Sequence, residues 1–348
     1  MKNDNINRIY NLDILKILAA VGIVCHHYQQ LSGVYFTKGI NFYGGVFSFG
    51  SLVELFFIIS GVLMAMTVKP SETINIVKQI KKRLIRILPM TALSVIVMYI
   101  IYLIYKSLFH SALYSWDYNI CQLFSSLLLV NQGWIVEFFP GVNNPIWYLC
   151  VLMLLTIIYL IVAKICKNEN RLIVVSSIII IIGLFGYYFQ IDKPFLHNSS
   201  CRGYVSFFGG VNLYYLYKRI NDKKIGITIS WIMFFLSMII CAVLRNFNWF
   251  VLVLILYPSI VMISLYLPQC KMKIACKAMG GASFEVYLWQ FPLYSLIKLM
   301  VDIIGINIEH TYFTMFLFLI VCEIVGLILY EYIELFIINA LNRKSFCS

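Results

Sequence analysis

The first apolar stretch of the chain carries ionisable side chains that could do acid–base or charge-binding chemistry. It reads LDILKILAAVGIVCHHYQQL over residues 12–31 and includes Asp13, Lys16, His26 and His27. Such groups are costly inside a membrane unless they are paired or face a wet cavity. Lys16 and His27 are eleven positions apart, so on a helix they share one face and lie roughly 16 Å apart along its axis. We therefore expect one of them near each membrane surface.

The second apolar stretch, 46–67, contains a carboxylate, Glu54, at a depth comparable to that of His27. A neutral imidazole can take a proton from a hydroxyl, and a carboxylate beside it fixes the tautomer and stabilises the imidazolium as it forms. The pattern therefore predicts His27 as a general base that Glu54 orients. His26, about 100° away around the helix, is the second candidate. A structural His–Glu pair that ties two helices together is the alternative.

The loop after this stretch is strongly basic, with Arg83 and Arg86 on one helical face. Together with Lys16 they would suit the phosphates of a cofactor such as coenzyme A. An amphipathic interfacial helix that contacts anionic lipid is the alternative. Ser60 directly precedes Gly61, and two small residues together could allow a ligand or another helix to approach closely. Glu285 is expected near the same membrane surface, where it could pair with Lys16 or Arg86.

The region 108–145 is rich in aromatic residues and runs into PGVNNPIWYL. Sugar C–H faces stack on aromatic rings while amides bond to hydroxyls, so Asn144 and Trp147 predict a carbohydrate-binding surface. A belt of interfacial aromatic residues gives the same composition. Arg202, at the outer end of a later apolar stretch, could meet an acidic acceptor or Glu54. An arginine that extends to the membrane surface is the alternative.

The candidate residues are polar but lie in apolar stretches, so they need a fold that holds polar groups in apolar surroundings. The composition predicts a membrane protein of this kind. Of the 348 residues, 61% are hydrophobic and 12% are charged, whereas soluble domains have about 25% charged residues. The sequence predicts an all-α polytopic integral membrane protein with a single domain, 1–348, and about ten transmembrane helices. The predicted spans lie near 12–33, 46–67, 87–107, 145–165, 172–190, 202–217, 226–244, 248–267, 283–303 and 312–339.

Positive charge sets the predicted orientation. All but six of the 27 Lys and Arg residues fall on one side if segment 118–131 is re-entrant or lies in the outer interface instead of crossing. The positive-inside rule then places both termini in the cytoplasm, Lys16 at the inner end of the first span and His27 toward its outer end. Topology thus explains the net charge of +12. No nucleic-acid partner is expected, because no basic patch with interleaved aromatic residues lies outside the apolar stretches.

Motifs for metal binding or nucleophilic catalysis are missing. The ten cysteines are scattered without a C-x-x-C pair, so we expect structural free thiols and no metal. No Ser, Cys or Asp nucleophile motif, Walker motif or Rossmann glycine pattern is present. His110, His197 and His310 fall in predicted outer loops and are expected to have no role.

Five motifs occur in order along most of the chain. They are LDILK at 12–16 with His27, FFIISGVLM at 56–64 after Glu54, RLIRILP at 83–89, WYL at 147–149 and SFEVYLWQFP at 283–292. Together they resemble the membrane acyltransferase-3 family, which includes bacterial polysaccharide O-acetyltransferases. Two positions depart from the family pattern. Lys16 replaces an arginine and so loses bidentate phosphate geometry, and Gln290 replaces a histidine and so cannot titrate.

The resemblance implies transfer of an acyl group, most simply acetyl, from cytoplasmic acetyl-CoA to a hydroxyl of a capsule or other cell-surface or lipid-linked polysaccharide. The phosphates of this donor substrate would bind Lys16, Arg83 and Arg86, with Ser60 along the path of the cofactor. His27 would be the general base, and a transient acyl-histidine is the less favoured variant. The implied setting is a multi-pass protein of the plasma membrane, in contact with lipid, the glycan acceptor and polysaccharide-assembly proteins.

Two other functional classes fit the same residues. One is a transporter or flippase of a lipid-linked glycan in which His27 and Glu54 relay protons. The other is a structural membrane partner in a glycan-assembly complex, which would tolerate the loss of both His26 and His27.

Overall fold

The computed structural model describes residues 8–138 and 140–345, and these residues form helices and loops with no β-strand among them. The helices are α1 Tyr10–Ser32, α2 Leu52–Thr67, α3 Ile76–Phe109, α4 Ile120–Leu127, α5 Trp147–Cys166, α6 Glu169–Tyr188, α7 Asn198–Arg219, α8 Lys223–Leu244, α9 Trp249–Val251, α10 Tyr257–Tyr266, α11 Lys273–Ile304, α12 Tyr312–Ile328 and α13 Leu335–Ser345. Short 3-10 turns, Phe49–Ser51 and Asn144–Ile146, lead into α2 and α5. Turns of π-helix, Leu252–Leu256 and Leu329–Glu334, join α9 to α10 and α12 to α13.

The prediction of an all-α polytopic membrane protein is confirmed. Within the described chain, seven helical segments are long and apolar enough to cross a membrane. They are Phe49–Thr67, Ile76–Phe109, Asn144–Cys166, Glu169–Tyr188, Lys223–Leu244, Trp249–Tyr266 and Tyr312–Leu341. The number of ten spans and the cytoplasmic position of both termini stay predictions, and residues 1–7 and 346–348 lie outside the described residues.

The other three predicted spans, 12–33, 202–217 and 283–303, are also helical and correspond to α1, α7 and α11. These helices are less apolar because they carry polar side chains, among them Lys16, His26, His27 and Arg202. Each buries much of its surface against other helices, whereas α8 leaves most of its apolar side chains exposed. The polar helices thus lie inside the bundle together with α2 and α5, and α6, α8 and α12 form its periphery.

The basic loop continues directly into the third span. Residues 76–109 form one helix, α3, with Pro89 in its interior, so the basic stretch and the predicted span 87–107 belong to the same helix, and contact of the basic stretch with anionic lipid stays the alternative. Membrane helices tolerate an internal proline where neighbouring groups satisfy the freed backbone. The continuous helix carries the two arginines of the loop into the bundle.

The segment 118–131 contains only the eight-residue helix α4, which at 1.5 Å per residue spans about 12 Å. A bilayer core is about 30 Å thick, so α4 is too short to cross it. The direction of the later helices agrees with this reading. When α4 is left out, α2 is the second predicted membrane crossing and α7 is the sixth. Both helices should therefore run in the same direction through the membrane.

The contacts between α2 and α7 show that the two helices are parallel. Glu54 meets Arg202 near the start of both helices, and Gly61 meets Phe207 further along. A Cβ added to Gly61 would lie 2.0 Å from the backbone oxygen of Phe207, and one added to Gly210 would lie 2.1 Å from that of Ile58. Glycine on each helix therefore lets the two backbones touch.

The helices α1 and α11 also run in the same direction. Asp13, near the start of α1, packs against Gly280, where an added Cβ would be 2.5 Å from the Asp13 Cβ. His27, near the end of α1, packs against Phe291 with ring centroids 4.9 Å apart. Contact along both ends of α1 makes α11 the neighbour that sets the surroundings of His27.

We predict that Gly61→Ala destabilises the protein by about 1–3 kcal/mol or more, because the added methyl meets backbone that cannot rotate away. The measurement is thermal unfolding of the purified variant in one detergent. Gly209→Ala is the matched control, since an added Cβ there meets nothing within 4 Å. Equal melting temperatures for the two variants would contradict the close α2–α7 contact.

Candidate active site

His27 lies deep in the bundle near the C-terminal end of α1. Its side chain is buried, and its ring packs edge-on against Phe291. The side chain of Gln290, from the same helix as Phe291, also contacts the imidazole. Nδ1 of His27 is buried and has no hydrogen-bond partner among the described residues. Such orphaned nitrogens are rare in proteins, and this one is free to take a proton from a bound hydroxyl.

Glu54 does not contact His27. Its side chain is fully buried, and Oε1 accepts hydrogen bonds from Arg202 Nε at 2.6 Å and from Trp249 Nε1 at 2.8 Å. The prediction that Glu54 orients His27 is therefore wrong. The helix α2 directs the carboxylate toward α7, where a guanidinium compensates its charge. The predicted contact between Arg202 and Glu54 is confirmed.

Arg202 is also held by an aromatic ring. Its guanidinium lies over the ring of Trp147, 4.7 Å from the centroid, and three-quarters of its side chain is buried. It is therefore part of the bundle interior and does not extend to the membrane surface. Oδ1 of Asn144, three residues before Trp147, is buried without a partner among the residues that the structure describes. The structure thus brings Arg202, Trp147 and Glu54 together, with Asn144 close by in the chain.

Two of the predicted phosphate-binding residues lie on α3, at the level of Lys16. Arg83 is half-buried, and its Nη1 donates a hydrogen bond to Thr156 Oγ1 of α5 at 2.5 Å. Arg86 is exposed, forms no salt bridge within the described chain, and lies near both Arg83 and Lys16. The positive charges predicted to act together are therefore close in space.

Lys16 is partly neutralised by its own helix. Its Nζ donates to Asp13 Oδ1 at 2.7 Å, and Arg8 Nε donates to the other carboxylate oxygen of Asp13 at 2.5 Å. Asp13 is buried against Gly280, so the carboxylate also fixes where Lys16 can reach. Arg86 is consequently the predicted phosphate-binding residue with the fewest bonds to the protein.

A row of side chains connects the basic residues with His27. Tyr148 lies near Arg83, and its hydroxyl is 3.0 Å from Ser60 Oγ. The ring of Tyr148 is 5.7 Å from that of Tyr287. Nε2 of Gln290 donates to the backbone oxygen of Tyr287 at 2.8 Å, and Gln290 contacts His27. Ser60 therefore lies along this row.

His26 faces a different part of the protein. Its Nδ1 lies 2.9 Å from the backbone oxygen of Phe42, in the loop between α1 and α2. Gln29 holds the same loop, because its Oε1 accepts hydrogen bonds from the backbone N–H groups of Phe42 at 2.5 Å and Tyr43 at 3.1 Å. One nitrogen of His26 is thus committed to positioning this loop, which leaves His27 as the histidine with the uncommitted buried nitrogen.

Glu285 pairs with neither Lys16 nor Arg86, so that prediction is wrong. Both of its carboxylate oxygens are buried without a hydrogen-bond partner among the described residues. Its neighbours are Trp289 on the same helix and Glu334 on the π-helical turn after α12. The lysine had a closer acid available in Asp13, three residues away on its own helix.

His310, expected to have no role, lies in the loop before α12. Nδ1 of His310 is 2.9 Å from the hydroxyl of Tyr28, the residue after His27. Burial lowers the pKa of His310, and the positive charge of Lys298 lowers it further. A neutral imidazole is therefore favoured at this end of α1.

Sequence reasoning missed three residues of the site: Tyr148, Tyr287 and Trp249. Tyr287 stands three positions before Gln290 and four before Phe291, a spacing that places all three on one helical face. That spacing was a usable signal. Trp249 lies far from Glu54 in the sequence, and nothing in its surroundings marked it.

The fold and these groups define a multi-pass helical membrane protein with ionisable side chains buried inside its bundle. A family model described as an acyltransferase domain, Acyl_transf_3, matches residues 9–331. The chain therefore belongs to the membrane acyltransferase-3 family, as its motifs predicted, and is a membrane acyltransferase. No curated protein and no solved structure gives a significant match to it.

We predict that Glu54→Gln destabilises the protein by about 3–5 kcal/mol, because it leaves the buried Arg202 without a counter-charge. The measurement is the thermal unfolding of the purified variant, with its level in the membrane as a second readout.

Glu72→Gln is the matched control, because Glu72 forms an exposed salt bridge with Lys167. Exposed pairs contribute about 0–1 kcal/mol, so this variant should unfold near the wild-type temperature. A Glu54→Gln protein as stable as Glu72→Gln would show that the buried pair is not what holds α2 to α7.

Proposed function

We propose that the protein transfers an acyl group, most simply acetyl, from a coenzyme A thioester to a hydroxyl of a cell-surface or lipid-linked polysaccharide in the plasma membrane. The observation that carries the proposal is the uncommitted buried nitrogen of His27. A row of side chains joins His27 to a basic cluster, formed by Lys16, Arg83 and Arg86, at the other end of α1.

His27 fits the role of general base. A base must have a free nitrogen, and Nδ1 of His27 has no protein partner among the described residues. Gln290, which contacts the imidazole, replaces the predicted carboxylate as the polar neighbour. An amide can orient a neutral imidazole but cannot compensate a lasting positive charge. The proton must therefore leave His27 within the same catalytic cycle.

Arg86, Arg83 and Lys16 fit the phosphates of the donor. Charge-assisted hydrogen bonds to phosphate are among the strong ones, and exposed Arg86 has its guanidinium available. Lys16 and His27 are roughly 16 Å apart along α1, so the thioester needs an extended arm to reach the base. The side chains of Ser60, Tyr148 and Tyr287 lie between the two ends and would line that arm.

The acceptor fits the Arg202–Trp147 surface. Arg202 covers one face of the Trp147 ring, so a sugar would stack on the opposite face, and the orphaned Oδ1 of Asn144 can accept a hydrogen bond from a hydroxyl. Arg202 already has Glu54 and Trp147 as partners. It therefore serves the acceptor as a fixed positive charge whose position the protein has set in advance.

In the proposed reaction His27 takes the proton of the acceptor hydroxyl as its oxygen attacks the thioester carbonyl. The C–O bond forms, the C–S bond breaks, and the proton passes to the departing coenzyme A thiolate. One base is sufficient for this direct transfer. A transient acyl-histidine would require a second deprotonation step and is therefore the less economical variant.

The rival class, a transporter or flippase with a His27–Glu54 proton relay, has less support. The relay needs contact between the two groups, whereas Glu54 bonds to Arg202 and Trp249. A structural partner of polysaccharide-assembly proteins does not require a buried imidazole with an unpaired nitrogen.

We predict that His27→Gln lowers acyl transfer by about 10²–10⁴-fold, the usual contribution of a general base. The assay follows labelled acetyl-CoA in proteoliposomes that contain a lipid-linked glycan pool, with release of free coenzyme A as a second readout. A transporter would release none.

His26→Gln is the matched control, because His26 bonds to the loop at Phe42. It should keep most of the activity. Full activity of His27→Gln at normal protein levels would overturn the assignment, and loss of activity in His26→Gln alone would reverse the two roles.

We predict that Arg86→Ala raises the KM for acetyl-CoA about tenfold with little change in kcat, as expected for the loss of one hydrogen bond to a charged group. Lys81→Ala is the control, because Lys81 is an exposed residue of the same helix on another face. An equal KM for Arg86→Ala and wild type would make the cluster a lipid anchor.

A further inference from the structure

Three potential metal ligands meet at the start of α7. One ligand atom each from Glu137, Asp192 and His197 lies within 4.8 Å of the other two. Glu137 comes from the loop before α5, and the other two come from the loop between α6 and α7. The loops are joined by a backbone hydrogen bond from Phe195 to Trp134 at 2.7 Å. The cluster therefore rests on two segments that are already held together.

The negative charge of this cluster lacks a basic partner. Neither Glu137 nor Asp192 forms a salt bridge with a lysine or arginine in the described part of the chain. Glu137 accepts a hydrogen bond from Ser199 Oγ, and Asp192 Oδ1 lies 2.5 Å from His197 Nδ1. Two carboxylates this close repel each other, so a cation between them would be favourable.

His197 itself also favours a bound metal ion. His197 is only 6% exposed, with Nδ1 directed at Asp192. Its Nε2 is buried without a hydrogen-bond partner among the described residues. An imidazole with one nitrogen on a carboxylate and the other unsatisfied is the arrangement of a histidine that binds a metal.

We infer that Nε2 of His197 and the carboxylate of Glu137 bind one divalent cation of the Zn²⁺ class, while Asp192 orients the imidazole through Nδ1. Imidazole suits zinc and similar metals, whereas sites for calcium and magnesium are built from oxygen atoms alone. Zinc binds imidazole and carboxylate at about 2.0–2.2 Å in tetrahedral geometry, so two of its ligands lie about 3.4 Å apart. The ligand atoms here lie within 4.8 Å of one another, so side-chain rotations that move them by up to about 1.4 Å would close the site.

The cation would hold the two loops that flank the proposed acceptor surface. His197 directly precedes α7, the helix that carries Arg202 about one and a half turns further on. Glu137 is in the segment that leads to Asn144 and Trp147. A bound ion would therefore fix the start of α7 relative to the start of α5. It has no part in the proposed transfer itself, so the site can be tested independently of that reaction.

The test measures zinc bound to metal-free purified protein by equilibrium dialysis and elemental analysis. We expect one equivalent that equal concentrations of Ca²⁺ and Mg²⁺ do not displace. We expect zinc binding to weaken by more than about tenfold in each of three variants, Asp192→Asn, Glu137→Gln and His197→Gln. Even a residue that only orients a metal-binding side chain contributes about that much to metal affinity. Zinc should raise the melting temperature of the wild type by mass action, but not that of Asp192→Asn. Asp192 is largely exposed, so its variant should fold.

His110→Ala is the control for unspecific binding to an exposed histidine, and Cys121→Ser is the control for the exposed thiol of Cys121. Both should bind zinc like the wild type. The proposal is overturned if the wild type binds no zinc, if the ligand variants bind it as tightly, or if a control variant loses it. Displacement by Ca²⁺ or Mg²⁺ would overturn the class of ion.

Discussion

A carboxylate buried inside a helical bundle must find a positive charge, and the pair of Glu54 and Arg202 meets this requirement. Leaving either group alone would cost several times the energy of an ordinary hydrogen bond. The pair can form because Gly61 and Gly210 let the backbones of α2 and α7 touch. Its guanidinium also fixes the ring of Trp147 at the start of α5. Three helices that are far apart in the sequence thus take their relative positions from one salt bridge.

The sequence was sufficient for the positions of the helices along the chain. Runs of apolar residues predicted the spans because length and hydropathy decide which segments can enter a bilayer. The direction in which each helix turns its side chains was not predictable in this way. Glu54 and His27 were expected to meet, but α1 presents His27 to α11, and α2 presents Glu54 to α7. Which helices become neighbours depends on the packing of the whole bundle, including a glycine contact between residues 61 and 207.

The surroundings of His27 restrict how its proton can move. Its neighbours Phe291 and Gln290 carry no charge, and the nearest predicted acid is committed elsewhere. A neutral pocket makes a long-lived imidazolium unfavourable, because burial without a counter-charge disfavours the charged form. This favours a concerted transfer, in which the leaving thiolate receives the proton, over a stable charged intermediate. Gln290, where the family pattern has a histidine, is consistent with a site that uses a single titratable base.

The separation of Glu54 and Arg202 in the chain also matters for biosynthesis. The two residues are 148 positions apart, and ribosomes add about 5–20 residues per second, so α2 is complete roughly 7–30 s before its partner exists. During that interval the newly made hairpin of α1 and α2 holds an acid in or near lipid without compensation. Membrane insertion of this protein therefore requires Glu54 to stay in contact with water or with the insertion machinery until α7 arrives.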